Sequence, residues 1–508
     1  MSTSAGTESR DQASVPDGPV APARVRLAFA ALVVAMLPAV LDQTILATTL
    51  PTIASDLGRL ADVAWVVTAY LVASTASTPL WGKLGDRHGH GRLLQLALVV
   101  FLAGSALCGA AQDLTQLIAF RAAQGLGAGG LMTLAMASVG GLVAPRERGR
   151  YQGRIAAAFA GASVLGPLIG GLLVDHADWR WVFYVNLPIG ALALLGLRRA
   201  LPPDPPPRAP LGPLDLAGAA LLAGATTAGL LVCVWGGDRW GWGSPTVLAL
   251  GGACVALAAA FVARERLADD PLVPLGLLGS RVVAVASVAL FLTTAALFAV
   301  IVFVPLFLQA TTGATPTEAG LLLLPMMAGT TLSTTLAGRR MARTGRYKAF
   351  PVAGLAVMAV ALAVLAALTS TRSAVATGAG LALFGLGFGM VSQVLVVAVQ
   401  NGVERRQLGT ATGVTTFFRA LGGSAGAAVL GAVFTAHAGA RAQAGTLAGL
   451  DAAARNDIAG AVGLVLLAGV ALAVAALAVV VRLPEVPLQA TAADPPVRRP
   501  AQPARARR

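Results

Sequence analysis

Two charged residues in the first quarter of the chain lie inside otherwise apolar stretches. Asp42 lies eight residues before Leu50, near the end of one apolar segment, and Arg121 lies eight residues after Asp113, near the start of another. If both segments are membrane-spanning helices, a rise of about 1.5 Å per residue places each charge about 12 Å deep. A charge inside a membrane span is energetically costly, so both residues are functional candidates.

Asp42 and Arg121 together offer proton chemistry. At matched depth in one helical block, the two side chains could contact each other or share a water-filled cavity. A neighbouring guanidinium favours the ionised form of a carboxyl group, whereas burial favours the neutral form. A carboxyl group held between these effects can gain and lose a proton, which makes Asp42 the candidate for proton coupling. The alternative is a purely structural ion pair.

A second deep arginine, Arg419, lies in the stretch FFRALGG near the end of the chain. It is about 15 Å from the predicted cytoplasmic end of its segment. No acidic residue in the C-terminal part of the chain lies at a similar depth. Three interpretations stay open: the guanidinium faces a substrate cavity, pairs with an anionic substrate, or bonds to backbone carbonyls and lipid.

The elements that must position these residues are membrane spans. The chain has 508 residues, of which 56% are apolar and only 12% charged. This composition cannot supply the charged surface of a soluble domain, so ordinary soluble enzymes, disordered chains and secreted disulfide scaffolds are excluded.

Fourteen apolar segments approach the length of about 20 residues that a spanning helix needs. They cover residues 27–48, 61–81, 93–112, 114–137, 155–174, 181–199, 213–235, 246–263, 282–309, 318–337, 349–369, 373–399, 409–436 and 459–481. The seventh and eighth are short and rich in glycine, so twelve spans is the main alternative.

The distribution of lysine and arginine predicts that both termini are cytoplasmic. With the N-terminus inside, 29 of the 37 basic residues fall on the cytoplasmic side, six fall outside, and Arg121 and Arg419 lie within spans. This asymmetry is the topology signal of membrane proteins. Together with attraction to anionic lipid it accounts for the net charge of +14 without a nucleic-acid partner. We therefore predict a multi-pass protein of the cell membrane.

Two basic loops indicate an internal repeat. Residues 82–92 (GKLGDRHGHGR) and 338–348 (GRRMARTGRYK) match at Gly82 and Gly338, at Arg87 and Arg343, and at Gly89 and Gly345. Each loop joins the second and third segments of a six-segment block. Parallel six-helix halves with a substrate site between them are a known transporter plan.

The fold predicted from this repeat is an all-α polytopic membrane protein with two six-helix bundles and two inserted central helices. Its parts are a disordered cytoplasmic tail (1–25), the first bundle (26–200), the inserted pair (201–280), the second bundle (281–482) and a second disordered cytoplasmic tail (483–508).

The loop at 82–92 resembles a signature of the major facilitator superfamily, G-x-L-[GA]-D-R-x-G-R-[KR]. The matching residues are Gly82, Leu84, Gly85, Asp86, Arg87 and Gly89. The match departs after Gly89, where His90 and Gly91 replace two basic residues and Arg92 supplies one a step later.

Four further stretches resemble the drug:proton antiporters with fourteen spans in that superfamily. They are LDQTILATTLP (41–51, with Asp42), RAAQGLGAGG (121–130, with Arg121, Gln124 and Gly125), GPLIGG (166–171, with Gly166, Pro167, Gly170 and Gly171) and WRWVFYVNLPIG (179–190). In the third stretch Ala162 replaces a leading glycine that is usual in the family.

The resemblance implies a role for each of these motifs. Asp42 and Arg121 would couple transport to protons, and Gln124 would face the substrate cavity. Arg419 lies outside these motifs, and its depth alone makes it the second candidate for the cavity wall. The loop residues Gly82, Asp86, Arg87, Gly89 and Arg92 would form a conformational latch. The residues Gly166, Pro167, Gly170 and Gly171 would form the antiporter motif, in which Pro167 kinks the helix and the glycines admit a neighbour. A loop that only sets topology is the alternative for the latch.

The implied function is proton-coupled export of lipophilic small molecules such as antibiotics, dyes or a self-made toxic metabolite, by a monomer using alternating access. The alternative is a symporter or uniporter of a small metabolite with the same fold. No phosphate-binding loop, metal-binding cluster or catalytic nucleophile is recognisable, so the expected energy source is the proton gradient, with no metal, no other cofactor and no enzymatic activity. A receptor or sensor is a further class, but the sequence does not indicate the soluble output domain that such a protein would normally carry.

Overall fold

The computed structural model describes residues 22–57, 60–201, 214–236, 240–371, 373–438 and 451–488. The helices of the first part are α1 (Pro22–Leu57), α2 (Leu60–His88), α3 (His90–Gly109), α4 (Leu114–Leu142), α5 (Pro145–His176), α6 (Trp181–Tyr184), α7 (Asn186–Ala200), α8 (Leu216–Trp235) and α9 (Pro245–Leu267). Those of the second part are α10 (Leu275–Gly279), α11 (Arg281–Thr312), α12 (Pro316–Leu321), α13 (Leu324–Thr344), α14 (Ala349–Leu368), α15 (Ala374–Gly402), α16 (Leu408–His437) and α17 (Ala452–Val480).

Thirteen helical segments in the described part of the chain are long and apolar enough to cross a membrane. Helix α2 adds another long helix of 29 residues, less apolar because serines, threonines and a tyrosine interrupt it. Each of the fourteen predicted segments falls on a long helix or on a broken pair. The sixth segment falls on α6 with α7 and the tenth on α12 with α13, so the predicted all-helical membrane fold is confirmed.

The helices form two bundles with the same packing scheme. In the first, α4 packs against α2 and α3, while α1 packs against α5 and α7. In the second, α15 packs against α13 and α14, while α11 packs against α16 and α17. Helices α8 and α9 pack on each other, and α8 also contacts α2 and α16, so the inserted pair lies beside the junction of the two bundles.

Large apolar side chains lie on the surface and polar side chains lie inside, as expected for a protein surrounded by lipid. Large apolar side chains such as Leu96, Leu165, Leu192 and Val255 are exposed on the helix surfaces, where lipid tails would cover them. The polar side chains Asp42, Arg121, Gln124 and Asn186 are instead buried inside the first bundle. Because lipid offers these groups no hydrogen bonds, each must find its partners within the protein.

Helix ends are fixed by side-chain caps. Asp113 accepts a hydrogen bond from the Gln116 N–H at the start of α4, and Asp215 accepts one from Gly218 at the start of α8. Thr315 and Glu318 form a reciprocal capping box at the start of α12. Asp215 and Glu318 are therefore helix-start residues rather than acids buried within a span.

Backbone geometry supports the internal repeat. Gly89 has φ 97° between α2 and α3, and Gly345 has φ 69° between α13 and α14. Both lie in the left-handed region that favours glycine. We call the end of the structure that carries these two loops the basic end.

The two predicted tails differ from the described structure near their boundaries. Helix α1 begins at Pro22, within the predicted N-terminal tail 1–25. Residues 483–488 are non-helical but packed, since the side chains of Leu483 and Leu488 are buried. These apolar contacts order the segment, so a disordered tail from residue 483 is a wrong prediction over 483–488. The remaining tail residues, 1–21 and 489–508, lie outside the described residues.

Candidate functional site

The carboxylate of Asp42 is the centre of a buried polar network between α1 and α4. Arg121 donates from Nη1 to Asp42 Oδ2 over 2.6 Å, and Gln124 donates from Nε2 to Asp42 Oδ1 over 2.8 Å. Arg121 also donates to Gln124 Oε1 over 2.7 Å. Arg121 and Gln124 are three residues apart on one helix, so both project toward α1. The structure thus brings the two predicted deep charges into direct contact.

Two further helices complete the surroundings of this carboxylate. Asn186, the first residue of α7, donates to Asp42 Oδ1 over 3.3 Å and to Ser105 of α3 over 3.1 Å. Arg121 donates from Nε to the carbonyl of Val66 in α2, and its guanidinium lies 4.2 Å from the centre of the Tyr70 ring. The network therefore links α1, α2, α3, α4 and α7 through one acidic side chain.

A proton on Asp42 would change the hydrogen bonds of this network, because the described contacts of the carboxylate are all with N–H donors. Arg121, Gln124 and Asn186 all offer N–H donors, and a carboxylate can accept all three. A protonated carboxyl group carries a donor on one oxygen and must lose or weaken at least one of these contacts. Binding a proton would therefore weaken a hydrogen bond that joins α1 to α4 or α7.

A cavity of about 590 Å³ lies where the two bundles meet. Its wall is formed by α1, α2 and α4 of the first bundle, by α11 and α16 of the second, and by the end of α8. Along α16 the wall runs from Thr416 to Thr435, close to the end opposite the basic end. The volume is within the range of sites for drug-sized ligands.

Contacts between the bundles close this cavity at the basic end. Gly82 of α2 packs directly on the backbone of Gly409 in α16, and Gly338 of α13 packs on Gly149 in α5. Gln400 of α15 donates to the carbonyl of Met136 in α4 over 3.1 Å. The small residues let the backbones touch, so the structure is a state closed at the basic end.

The structure separates the two residues predicted to face substrate. Arg419 lies on the cavity wall, but Gln124 is fully buried in the Asp42 network and does not line the cavity. The register of α4 is the reason, because the face that carries Arg121 also carries Gln124. From α1, Gln43 lines the cavity next to Asp42 in sequence, so the network lies directly behind the wall.

The predicted latch residue Asp86 caps the start of α16. Its Oδ1 accepts the N–H of Gly409 over 2.7 Å, and its Oδ2 accepts both the N–H and the hydroxyl of Thr410 over 2.7 Å. His90 Nε2 lies 3.1 Å from Asp86 Oδ1. A carboxylate at a helix N-terminus is favoured by the unpaired N–H groups and by the helix dipole.

The other predicted latch residues have different surroundings. Arg87 lies 3.4 Å from Asp270, which also pairs with Lys83. Asp270 follows α9, so the inserted pair of helices reaches the same loop. Gly82 allows the close approach of α2 to α16, and Gly89 forms the turn between α2 and α3. Arg92 is exposed.

The predicted antiporter motif lies within the unbroken helix α5, which packs against α1. Gly166 is in direct contact with Thr44, two residues after Asp42, and a side chain at this position would overlap it. Gly170 is buried, while Pro167 is exposed and Gly171 has open space where a Cβ would be. Gly166 therefore connects α5 to the Asp42 region.

Sequence reasoning missed Asn186, Asp270 and Thr410. Asn186 is a polar amide within an apolar segment, a signal that could have identified it. Asp270 lies in a short acidic pair (Asp269–Asp270) between segments, and only the tertiary structure shows that it faces the loop between α2 and α3. Thr410 has no distinguishing sequence signal.

Comparisons with known proteins agree with this architecture. The family model of the Major Facilitator Superfamily matches residues 32–427. An uncharacterized MFS-type transporter of Mycobacterium tuberculosis is 42% identical over 419 residues, which cover 82% of this chain and 61% of that relative. The chain therefore spans about three fifths of that relative's length. The multidrug transporter protein MdtP of Bacillus subtilis is 35% identical over 415 residues, covering 81% of this chain and 76% of the relative.

A solved structure has the same fold. The human organic anion transporter MFSD10 superposes with a TM-score of 0.64 at 19% identity, over 90% of this chain and 99% of that chain. At this identity the likeness bears on the fold alone.

Proposed function

The chain belongs to the Major Facilitator Superfamily of membrane transporters, and we propose that it is a proton-coupled exporter of lipophilic small molecules. In this proposal it is an antiporter that works by alternating access as a monomer in the cell membrane, driven by the proton gradient. The observation that carries the proposal is the buried carboxylate of Asp42, held by Arg121 and Gln124 directly behind the central cavity. The name of the Bacillus relative, a multidrug transporter, supports transport of drugs, and relatives named efflux pumps support export.

The proposed coupling follows from the hydrogen bonds of Asp42. When the cavity is open to the proton-rich side, a proton on the carboxylate weakens or breaks one of its contacts with the three N–H donors. The loss of that contact changes how α1 packs against α4 and α7, which favours the alternative state of the transporter. When the cavity faces the other side, the proton leaves and the original contacts form again.

The proposed direction rests on the charge of the basic end. If the lysine- and arginine-rich loops are cytoplasmic, as the positive-inside pattern indicates, both termini are cytoplasmic and the described state is closed toward the cytoplasm. The cavity would then be open toward the outside, as expected for an exporter that has delivered its substrate. Asp86 at the start of α16 would stabilise this state and would release when the basic end opens.

Transport into proteoliposomes distinguishes the proposal from its symporter alternative, because the two mechanisms need pH gradients of opposite direction for uptake. Purified full-length chain is reconstituted, and a panel of dyes and antibiotics is offered under imposed pH gradients. An antiporter accumulates substrate when the lumen is acidic, because protons leave as substrate enters. A proton symporter accumulates substrate when the outside is acidic, and a uniporter responds to neither gradient. Loss of uptake after nigericin collapses the gradient is the control, and uptake with an acidic outside would contradict antiport.

A further inference from the structure

The central cavity carries a positive charge that none of the described residues neutralises. Of the described residues on its wall, Arg419 is the only lysine, arginine, aspartate or glutamate. No described carboxylate lies within ion-pair distance of its guanidinium, and no side-chain hydrogen bond of Arg419 is formed with the described residues. The charge therefore faces the cavity without a counter-ion among the residues that the structure describes.

Arg121 shows by contrast how this protein surrounds a guanidinium that is paired within a helical bundle. Arg121 is fully buried and bonded to Asp42, Gln124 and the carbonyl of Val66. Arg419 is half-buried and open to the cavity, about 16 Å along α16 from Leu408. A guanidinium at this depth needs an acceptor such as water or an anion, because lipid tails and apolar side chains provide none and Arg419 forms no hydrogen bond with the described residues.

The remaining wall favours an amphipathic ligand. Hydroxyl groups from Thr75, Thr78, Thr294 and Ser424 alternate with apolar surface that includes the ring of Phe298. The hydroxyls of Thr78, Thr294 and Ser424 donate to backbone carbonyls of their own helices, so they offer lone pairs to a polar ligand group or to water. The apolar surface suits a hydrocarbon body. A cation would meet Arg419 as a like charge on a wall whose described residues include no acid, which is unfavourable.

We propose that the central cavity selects lipophilic organic anions, in which a carboxylate or another oxyanion meets Arg419 and an aromatic or aliphatic body fills the cavity. A guanidinium suits this role because its planar fork of N–H donors binds a carboxylate at two points. This inference rests on the proposed function, since it assigns the substrate class of the cavity that the transporter would use.

Three probes with one hydrocarbon body and different charges test the selectivity. They are 1-pyrenebutyrate, 1-pyrenebutanol and 1-pyrenebutylamine, which carry a carboxylate, a hydroxyl and an ammonium group. Their binding to the full-length chain in lipid nanodiscs is measured by equilibrium dialysis, with empty nanodiscs as the blank. We expect the wild type to bind the carboxylate about tenfold more tightly than the alcohol, and the ammonium most weakly.

Arginine variants locate the selectivity. Arg419→Gln should bring the affinities for the carboxylate and the alcohol to within about twofold, because the attraction is lost while hydrogen bonding is kept. Arg419→Lys should keep the preference for the carboxylate with reduced affinity, since lysine retains the charge but lacks the fork. Arg340→Gln is the matched control, because Arg340 is exposed at the basic end and outside the cavity. Thermal unfolding midpoints verify that each variant is folded.

Several results would overturn the inference: equal affinities in the wild type, a preference for the ammonium probe, unchanged selectivity in Arg419→Gln, or no binding of the carboxylate. These binding measurements do not depend on proton coupling. If pH-driven transport fails while the Arg419-dependent preference for the carboxylate persists, the antiport mechanism is wrong and the substrate class stands. If pH-driven transport succeeds without that preference, the antiport mechanism stands and the inferred substrate class is wrong.

Discussion

The two loops related by the internal repeat hold the basic end through different chemistry. In the loop between α2 and α3, the Asp86 carboxylate reaches across to the second bundle and caps the start of α16. In the other loop the equivalent position is Ala342, and the neighbouring Gly345 is held by the N–H of Leu488. One loop therefore links the bundles by a charge, and the other is tied to a segment that follows its own bundle.

The two bundles also place their deep charges differently. In the first bundle Asp42 and Arg121 neutralise each other inside a network of hydrogen bonds. In the second bundle Arg419 faces the cavity without a described counter-ion. This difference suggests a division of roles, in which the first bundle handles the proton and the second supplies the charge that the substrate meets.

The largest expected effect separates these two roles. Asp42→Asn keeps the size of the side chain and removes its titration, so pH-driven uptake should fall to the level of protein-free liposomes. Substrate-induced proton release from purified protein should disappear as well. Binding of 1-pyrenebutyrate should change by less than about twofold, because Asp42 does not line the cavity.

Asp56→Asn is the control for Asp42→Asn, since Asp56 lies on the same helix but is exposed. It should transport like the wild type. If Asp42→Asn still releases protons on substrate addition and still transports against a gradient, the coupling acid lies elsewhere and the contrast between the bundles fails.

The next effect tests whether the two loops contribute equally to closure. A methyl group at Gly82 would overlap the backbone of Gly409, and one at Gly338 would overlap Gly149. Overpacking of this kind costs about 1–3 kcal/mol, so each alanine variant should favour the state open at the basic end. Hydrogen exchange at residues 408–412 should become faster in both variants. Gly141→Ala is the control, because its added methyl group meets open space. Unchanged exchange in Gly82→Ala would show that this contact does not hold the end closed.

A smaller effect is expected from removing the charge that distinguishes the loops. Hydrogen bonds to a charged group exceed neutral ones by about 1 kcal/mol, so Asp86→Asn should slow turnover about five- to tenfold. Abundance and probe binding should be retained. Tyr347→Phe is the matched change in the second loop, where the hydroxyl donates to the Pro484 carbonyl and accepts from the Val486 N–H. Its effect on turnover should be below about twofold. A larger effect in Tyr347→Phe would reverse the proposed difference between the loops.

Composition and periodicity sufficed to predict the helical membrane fold, because a spanning helix needs a long apolar segment that is visible in sequence. The matched depths of Asp42 and Arg121 also sufficed to predict that they could meet, since helix rise converts residue number into depth. The side of the helix was harder to predict. Gln124 was expected on the cavity wall, but the rotation of α4 directs it into the buried network.

Long-range contacts between loops and helix starts could not be predicted from the sequence. The partners of Asp86 are backbone N–H groups 323 and 324 residues later in the chain. Backbone donors carry no sequence signal, so no residue type marks them. The order of residues 483–488 was missed for a similar reason. The predicted tail is rich in proline and arginine, and only the tertiary structure shows that its leucines are buried.

The smallest expected effect concerns the inserted helices, which have no equivalent in either bundle. Asp270 follows α9 and pairs with Lys83 and Arg87, so the inserted pair reinforces the first loop. Among the described residues, the second loop has no such ion pair with the inserted helices. Because Asp270 is about one-third exposed, the pair is screened and contributes on the order of 0.5–1 kcal/mol. Asp270→Asn should therefore alter turnover by about two- to fivefold in low salt and by less at high ionic strength. Asp269→Asn removes the same charge one residue away, where the side chain is exposed, and should leave turnover unchanged. Equal effects of the two variants would show that Asp270 acts through general surface charge. An effect confined to Asp270→Asn would show that the inserted helices take part in holding the first loop.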